Sequence, residues 1–143
     1  WLYGSSEATI IETITKGRTG MMPPRAAAVG SPEDVRNVAN YVLSLSGAPH
    51  DSVRANLGRA KFVVCAACHG ADGKGNPALG APNLTSGVFM HGPAVESHIV
   101  AMVTNGKTGV MPAWDKKFSP EQIKLLTAYV WGKGGGVAPS PAN

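Results

Sequence analysis

The chain has 143 residues, of which 43% are hydrophobic, and a formal net charge of +4. This length suits one domain of ordinary size or two very small ones, and no apolar run approaches the roughly 18 residues that cross a bilayer. The lysines and arginines are scattered along the chain without forming a basic cluster, which argues against a nucleic acid partner.

Helices joined by loops are predicted along the chain, and no convincing alternating pattern indicates a strand. In chain order the predicted helices cover residues 6–15, 31–45, 53–64 and 96–103, followed by one that begins at Ser119. Ser31 and Ser119 are favourable N-caps, each with proline at the first helical position, and Ser119 forms a capping box with Gln122. Behind these caps, apolar residues at near-helical spacing predict packing faces. These residues are Val35, Val38, Ala39 and Val42 in the earlier helix, and Ile123, Leu126, Ala128 and Val130 in the later one.

An internal repeat divides the chain into two unequal copies. "TKGRTGMMP" at residues 15–23 matches "TNGKTGVMP" at residues 104–112, and "SPEDVRNVANYV" from Ser31 matches "SPEQIKLLTAYV" from Ser119. A cysteine-containing stretch precedes only the second copy. The repeat therefore predicts that residues 1–46 are the C-terminal half of a first module. A linker at residues 47–51, a complete module at residues 52–134 and a flexible tail at residues 135–143 follow.

The cysteine-containing stretch reads Cys65-Ala-Ala-Cys68-His69 and holds both cysteines of the chain. A structural zinc site needs four ligands, and none of the other histidines, His50, His91 and His98, pairs at metal-ligand spacing with a second ligand. A thioredoxin-like dithiol would follow a strand, whereas this motif follows a predicted helix. The remaining interpretation is covalent haem attachment, in which both thiols add to vinyl groups and the adjacent histidine binds the iron.

Such a haem would have a sixth ligand or an open position. Met111 is the best candidate, because it lies in a loop after a helix and Pro112 biases it toward an extended backbone. We expect Met102, and in part Met90, to fill core space. We expect the Pro82 carbonyl to accept a hydrogen bond from the free ring nitrogen of the haem-binding histidine. We expect Trp114 to line the haem pocket.

These motifs, in this order, resemble a class I c-type cytochrome over residues 52–134. The tandem arrangement resembles the dihaem subunit III of the cbb3-type cytochrome c oxidases over the whole chain. The resemblance implies an all-α class I cytochrome c fold, preceded by half of a second domain. It also implies thioether bonds at Cys65 and Cys68, His69 as the proximal ligand and Met111 as the distal ligand of one haem c. Met22, which matches Met111, would be the distal ligand of a second haem if a first haem motif lies upstream.

The resemblance further implies a function in electron transfer. The chain would deliver electrons to the oxygen-reducing catalytic subunit of the oxidase without being its catalytic centre. Its partners would be other oxidase subunits and a donor cytochrome c or similar redox protein. It would lie on the periplasmic side of the bacterial inner membrane, with a membrane anchor upstream. The alternatives are a free soluble dihaem cytochrome that serves another dehydrogenase or reductase, and a peroxidase-like haem enzyme with an open iron position.

Overall fold

The computed structural model describes residues 1–135 and is mostly helical, which confirms the predicted fold class. Its elements are α1 (Glu7–Lys16), β1 (Arg18–Met22), α2 (Ala26–Val29), α3 (Pro32–Leu45), α4 (Ser52–Lys61), α5 (Val63–His69), α6 (Glu96–Asn105), β2 (Lys107–Met111) and α7 (Pro120–Gly134). Within residues 1–135, no helix combines the length and the apolar character that a membrane span needs. Of the predicted flexible tail, residues 136–143 lie outside the described residues.

The expectation of no strand was wrong for two short segments. β1 and β2 form a two-stranded sheet. Each has five residues with a central glycine, and β2 is exposed along its whole length. A strand that buries neither face has no reason to alternate apolar and polar residues, so its sequence carries no period of two.

The caps of the helices agree with the sequence. Ser31 and Ser119 each accept a hydrogen bond from the backbone amide three residues on, and both caps are complete capping boxes. In the first box the carboxylate of Asp34 accepts from the Ser31 amide at 3.0 Å, and this bond holds the pKa of Asp34 below its ordinary value. These local signals are sufficient to start both helices at the predicted residue.

The compact units of the structure differ from the predicted domains at residues 1–46 and 52–134. The first unit joins Trp1–Gly20 to the chain from Gly109 onward, and the second comprises Met21–Thr108. In the second unit α3, from the first repeat copy, packs against α4 and α6 from the second copy. In the first unit α1 packs against α7. Each unit therefore combines helices from both copies of the repeat.

The pairing of elements from different repeat copies is visible at two equivalent glycines. Gly17 ends α1 and Gly106 ends α6, both with φ near +70°, a conformation that favours glycine. A side chain at Gly17 would collide with the carbonyl of Met111, at 2.3 Å, inside the first unit. A side chain at Gly106 would meet the carbonyl of Met22, at 2.5 Å, inside the second unit. The end of each helix therefore lies against the methionine strand of the other copy.

The core of the second unit is built on α3. Its buried residues are Val29, Val35, Val38, Ala39, Val42, Leu43, Phe62, Cys65, Ile99 and Val103. The predicted apolar face of α3 is therefore buried as a whole. α4 approaches so closely that a Cβ on Gly58 would lie 2.1 Å from the Asn37 carbonyl oxygen, and Tyr41 packs edge-on against Phe62 with ring centroids 5.1 Å apart.

Two features explain why α3, rather than α7, lies against α4. The connection from α3 to α4 spans only residues 46–51, and short connections favour antiparallel neighbouring helices. The contact is also polar: Asn40 Oδ1 accepts from the amide of Asp51 at 2.9 Å, and Asn37 Oδ1 accepts from an arginine of α4 at 3.3 Å. The matching residues of α7 are Ala128 and Leu125, whose side chains have no acceptor.

The core of the first unit is smaller. Ile10, Ile14 and Ile123 are buried, with Trp114, Phe118 and Leu126 among the half-buried residues around them. The predicted face of α7 is only partly used, because Ala128 and Val130 are exposed and Thr127 is buried instead. In its own unit α7 packs on α1, and a single partner helix covers only one stripe of its surface.

Candidate haem site

The cysteine motif forms the last turns of α5. Cys65 and Cys68 lie three residues apart in this helix, a spacing that places both thiols on neighbouring turns of the same face. Both are free thiols; Cys65 is buried and Cys68 is half-buried. His69 is the last residue of the helix, is 7% exposed, and its carbonyl accepts from the Gly75 amide at 2.8 Å. The helix therefore presents two thiols and an imidazole from adjacent positions.

The ring of His69 is held by a backbone carbonyl. Nδ1 of His69 lies 3.0 Å from the carbonyl oxygen of Pro82. Because a carbonyl oxygen can only accept, Nδ1 is the donor, and Nε2 is the ring nitrogen that is left to bind a metal. The loop that supplies Pro82 is pinned by a hydrogen bond from the Leu84 amide to the Gly73 carbonyl, at 2.7 Å. This arrangement orients the imidazole so that Nε2 can serve as a metal ligand.

A largely apolar cavity inside the second unit contains His69. Its lining residues are Met22, Val42, Cys65, His69, Pro82, Asn83, Leu84, Val88, Phe89, Met90, His91, His98, Ile99, Met102 and Val103. The structure thus brings Met22, a predicted ligand of a different haem, into the same cavity as Cys65, His69 and Pro82. Met90 and Met102, which were expected to fill core space, also line this cavity.

Met111 and Trp114 lie in the other unit. Met111 ends β2 and is 38% exposed, and Trp114 stacks on Phe118 with ring centroids 5.7 Å apart. Neither lines the cavity that contains His69. The sequence could not separate Met111 from Met22, because both stand in the same motif of the repeat. Which of the two lies beside His69 depends on the helix that packs against α4.

Two histidines of the cavity were missed by the sequence analysis. His91 and His98 were considered there only as zinc ligands, and both line the cavity. Their signal in the sequence is weak, because an isolated histidine has no partner at ligand spacing. Their position at the cavity follows from the loop before α6 and from the face that α6 presents to the core.

The geometry weighs against the two other uses of the cysteines. Burial raises the pKa of the Cys65 thiol above its ordinary value, whereas a catalytic dithiol needs a lowered thiol pKa. Within the described part of the chain, no group of three or more His, Cys, Asp or Glu side chains could hold a metal ion, so zinc lacks a ligand set. Two thiols on one helix face, an imidazole held by a backbone carbonyl, a thioether and an apolar cavity instead fit a covalently attached haem.

Comparisons with known proteins also indicate a haem-binding cytochrome. A sequence model of the family described as cytochrome C oxidase, cbb3-type, subunit III matches residues 57–130. The chain is 60% identical over 131 residues to the cbb3-type cytochrome c oxidase subunit CcoP of Rubrivivax gelatinosus, with 92% of this chain and 43% of that protein covered. It is 45% identical to subunit FixP of Azorhizobium caulinodans, with 95% and 49% covered. The chain therefore spans about half the length of the curated relatives it matches.

Proposed function

The chain belongs to the family of subunit III of cbb3-type cytochrome c oxidases, and from this premise we propose that it is an electron-transfer cytochrome of such an oxidase. It would pass electrons to the oxygen-reducing catalytic subunit, on the periplasmic side of the bacterial inner membrane. Its partners would be the other oxidase subunits and a donor cytochrome c or similar redox protein. The names of the relatives and the haem-compatible donor set support this proposal.

The proposed haem site uses residues of both repeat copies. Cys65 and Cys68 would carry the thioether bonds, and His69 would bind the iron through Nε2. The distal ligand of this haem would be Met22 rather than Met111. The single observation that carries this choice is that Met22, unlike Met111 in the matching motif, lines the same cavity as His69 and Cys65.

The chain's own residues account for what electron transfer requires. A bound haem c supplies a one-electron couple between ferrous and ferric iron, and a histidine and methionine ligand pair raises its potential. The Pro82 carbonyl fixes the tautomer and orientation of His69, and the apolar lining of the cavity limits access of water. His69 and Met22 would both hold the iron, so no substrate need enter the cavity. A peroxidase-like enzyme would need an open position, and Met22 argues against one.

The first unit has the complementary half of a second haem site, and we extend the proposal to it. Met111 stands against Gly17 as Met22 stands against Gly106. Leu125 and Tyr129 of α7 are 72% and 65% exposed, where the matching residues of α3 face α4. A haem bound to a Cys-X-X-Cys-His motif outside this sequence would then take Met111 as its distal ligand.

A matched pair of variants tests the ligand assignment. The chain is produced with c-type haem maturation, and Met22→Ala is compared with Met111→Ala. We expect Met22→Ala, and not Met111→Ala, to lose the sulfur-to-iron charge-transfer band at the red end of the ferric spectrum, because of these two methionines only Met22 lines the cavity with His69. Reduced Met22→Ala should bind carbon monoxide at neutral pH, whereas the wild type and Met111→Ala should not.

Two other results would be decisive. Loss of the band in Met111→Ala, with the band retained in Met22→Ala, would return the assignment to Met111. A pyridine assay should give one covalent haem per chain, through Cys65 and Cys68. Wild-type protein that matures without covalent haem would contradict the proposed function itself.

A further inference from the structure

The cavity in the second unit has a polar rim that the ligand set does not use. His91 and His98 line it, and none of its lining residues is lysine or arginine. His91 is exposed and His98 is half-buried, so both imidazoles lie near solvent rather than at the floor of the cavity. Among residues 1–135, neither ring has a hydrogen-bond partner, unlike His69 and His50, whose Nδ1 atoms lie 3.0 Å and 2.8 Å from backbone carbonyls.

The ring of His98 has a fixed support. A Cβ on Gly92 would lie 2.4 Å from Cε1, 2.7 Å from Nε2 and 2.8 Å from Nδ1 of His98, so the glycine backbone packs against the imidazole. Ile99 and Met102, which follow His98 on α6, line the same cavity. The position of the imidazole at the cavity is therefore determined by α6 and by the close packing that the absence of a side chain at Gly92 allows.

A haem in this cavity would bring two propionate carboxylates with it. Carboxylates at the edge of an apolar cavity need hydrogen-bond donors or solvent, because burial without either is costly. The amide oxygen of Asn83 already accepts from the amide and the hydroxyl of Thr85, both at 2.8 Å, so at most its Nδ2 is available as a donor. The ring N–H groups of His91 and His98 are the other side-chain N–H donors of the lining outside the iron ligand.

We propose that His98, together with His91, binds the haem propionates. The inference rests on the proposed haem site, and it assigns to these histidines a role that the iron ligation does not include. An imidazole N–H of His98 donates to a propionate oxygen, and the positive end of this N–H dipole offsets part of the carboxylate charge. Less negative charge near the iron favours the ferrous form, so these histidines raise the midpoint potential.

The test compares His98→Phe with wild-type protein, both carrying covalent haem. Phenylalanine keeps a flat ring against Gly92 but removes the donor. We expect a shifted haem propionate bending band in the resonance Raman spectrum and a lower midpoint potential. One net hydrogen bond changes an equilibrium constant by about two- to tenfold. The ratio of ferrous to ferric protein at a fixed potential should therefore fall in His98→Phe by about tenfold at most. His98→Gln, which keeps a donor, should restore part of both values.

The control is His50→Gln, since His50 lies outside the cavity lining and bonds to the Ala48 carbonyl. It should leave the Raman band and the potential unchanged. His98→Ala is a second variant without a donor, for use if His98→Phe does not incorporate haem. If His98→Phe or His98→Ala binds haem and has the same Raman band position and midpoint potential as the wild type, the inference is wrong, and the proposed haem site is unaffected. Absence of covalent haem from the wild type would instead contradict the proposed function.

Discussion

Gly58 is the position at which the packing of α3 against α4 is most sensitive to a single methyl group. A Cβ there would lie 2.1 Å from the Asn37 carbonyl oxygen, 2.4 Å from its carbon and 2.7 Å from the Val38 amide nitrogen. All three are backbone atoms of α3, so no side-chain rotation can relieve the collision. Gly58→Ala therefore requires the two helices to separate by roughly 1 Å along a close-packed interface.

Two opposing contributions determine the result. Alanine is better than glycine inside a helix by about 1 kcal/mol, and Gly58 is in the helical part of α4 without a positive φ. Overpacking of a well-packed core costs about 1–3 kcal/mol, and separation of the helices also weakens contacts of Val38 and Phe62. We expect a net loss of about 1–2 kcal/mol. For a unit of this size that lowers the unfolding midpoint by roughly 5–15 °C.

Thermal unfolding of the haem-bearing chain, followed by the Soret band and by far-ultraviolet circular dichroism, measures this loss. Gly132→Ala in α7 is the matched control, because within residues 1–135 its added Cβ would meet no atom of another part of the chain within 4 Å. It should be neutral or stabilising by up to about 1 kcal/mol. A rise of the unfolding midpoint in Gly58→Ala would mean that no collision opposes the higher helix propensity of alanine, and it would refute the close approach of α4 to α3.

Asn40→Ala should lower the free energy of unfolding by about 1–3 kcal/mol in chemical denaturation. The side chain is 2% exposed, donates to Glu96 and accepts from the Asp51 amide, and alanine loses both hydrogen bonds. A loss below about 0.5 kcal/mol would contradict a stabilising contribution of these hydrogen bonds. Hydrogen bonds from Arg36 and Asn40 lower the pKa of Glu96 in the folded state. Their stabilisation should be complete above the unfolded value of about 4.3 and lost as pH falls through the lower folded pKa. Glu96→Gln should therefore be less stable than wild type at pH 7, by about 1 kcal/mol, with the difference vanishing in acid.

Local chemistry explains why much of this protein could be predicted from its sequence. The capping residues at Ser31 and Ser119 define where helices begin, because each satisfies backbone amides within four residues of chain. The spacing of Cys65, Cys68 and His69 indicated haem attachment before any fold was known, because the chemistry of both thiols and the imidazole is contained in five consecutive residues. The family resemblance drawn from these motifs is confirmed by the family match over residues 57–130.

Tertiary structure alone decided which half of the repeat completes the cavity. The two copies share the methionine motif and the helix that follows it, and the sequence analysis assigned Met111 to the haem of His69 and Met22 to a second haem, whereas Met22 is the one that lines the cavity with His69. The choice depends on contacts between residues far apart in sequence, namely the close approach of Gly58 to Asn37 and the hydrogen bond from the Asp51 amide to Asn40. It also depends on the entropic cost of closing a long loop. A repeat fixes what each copy can bind, whereas the free energy of packing between copies determines which partner it has.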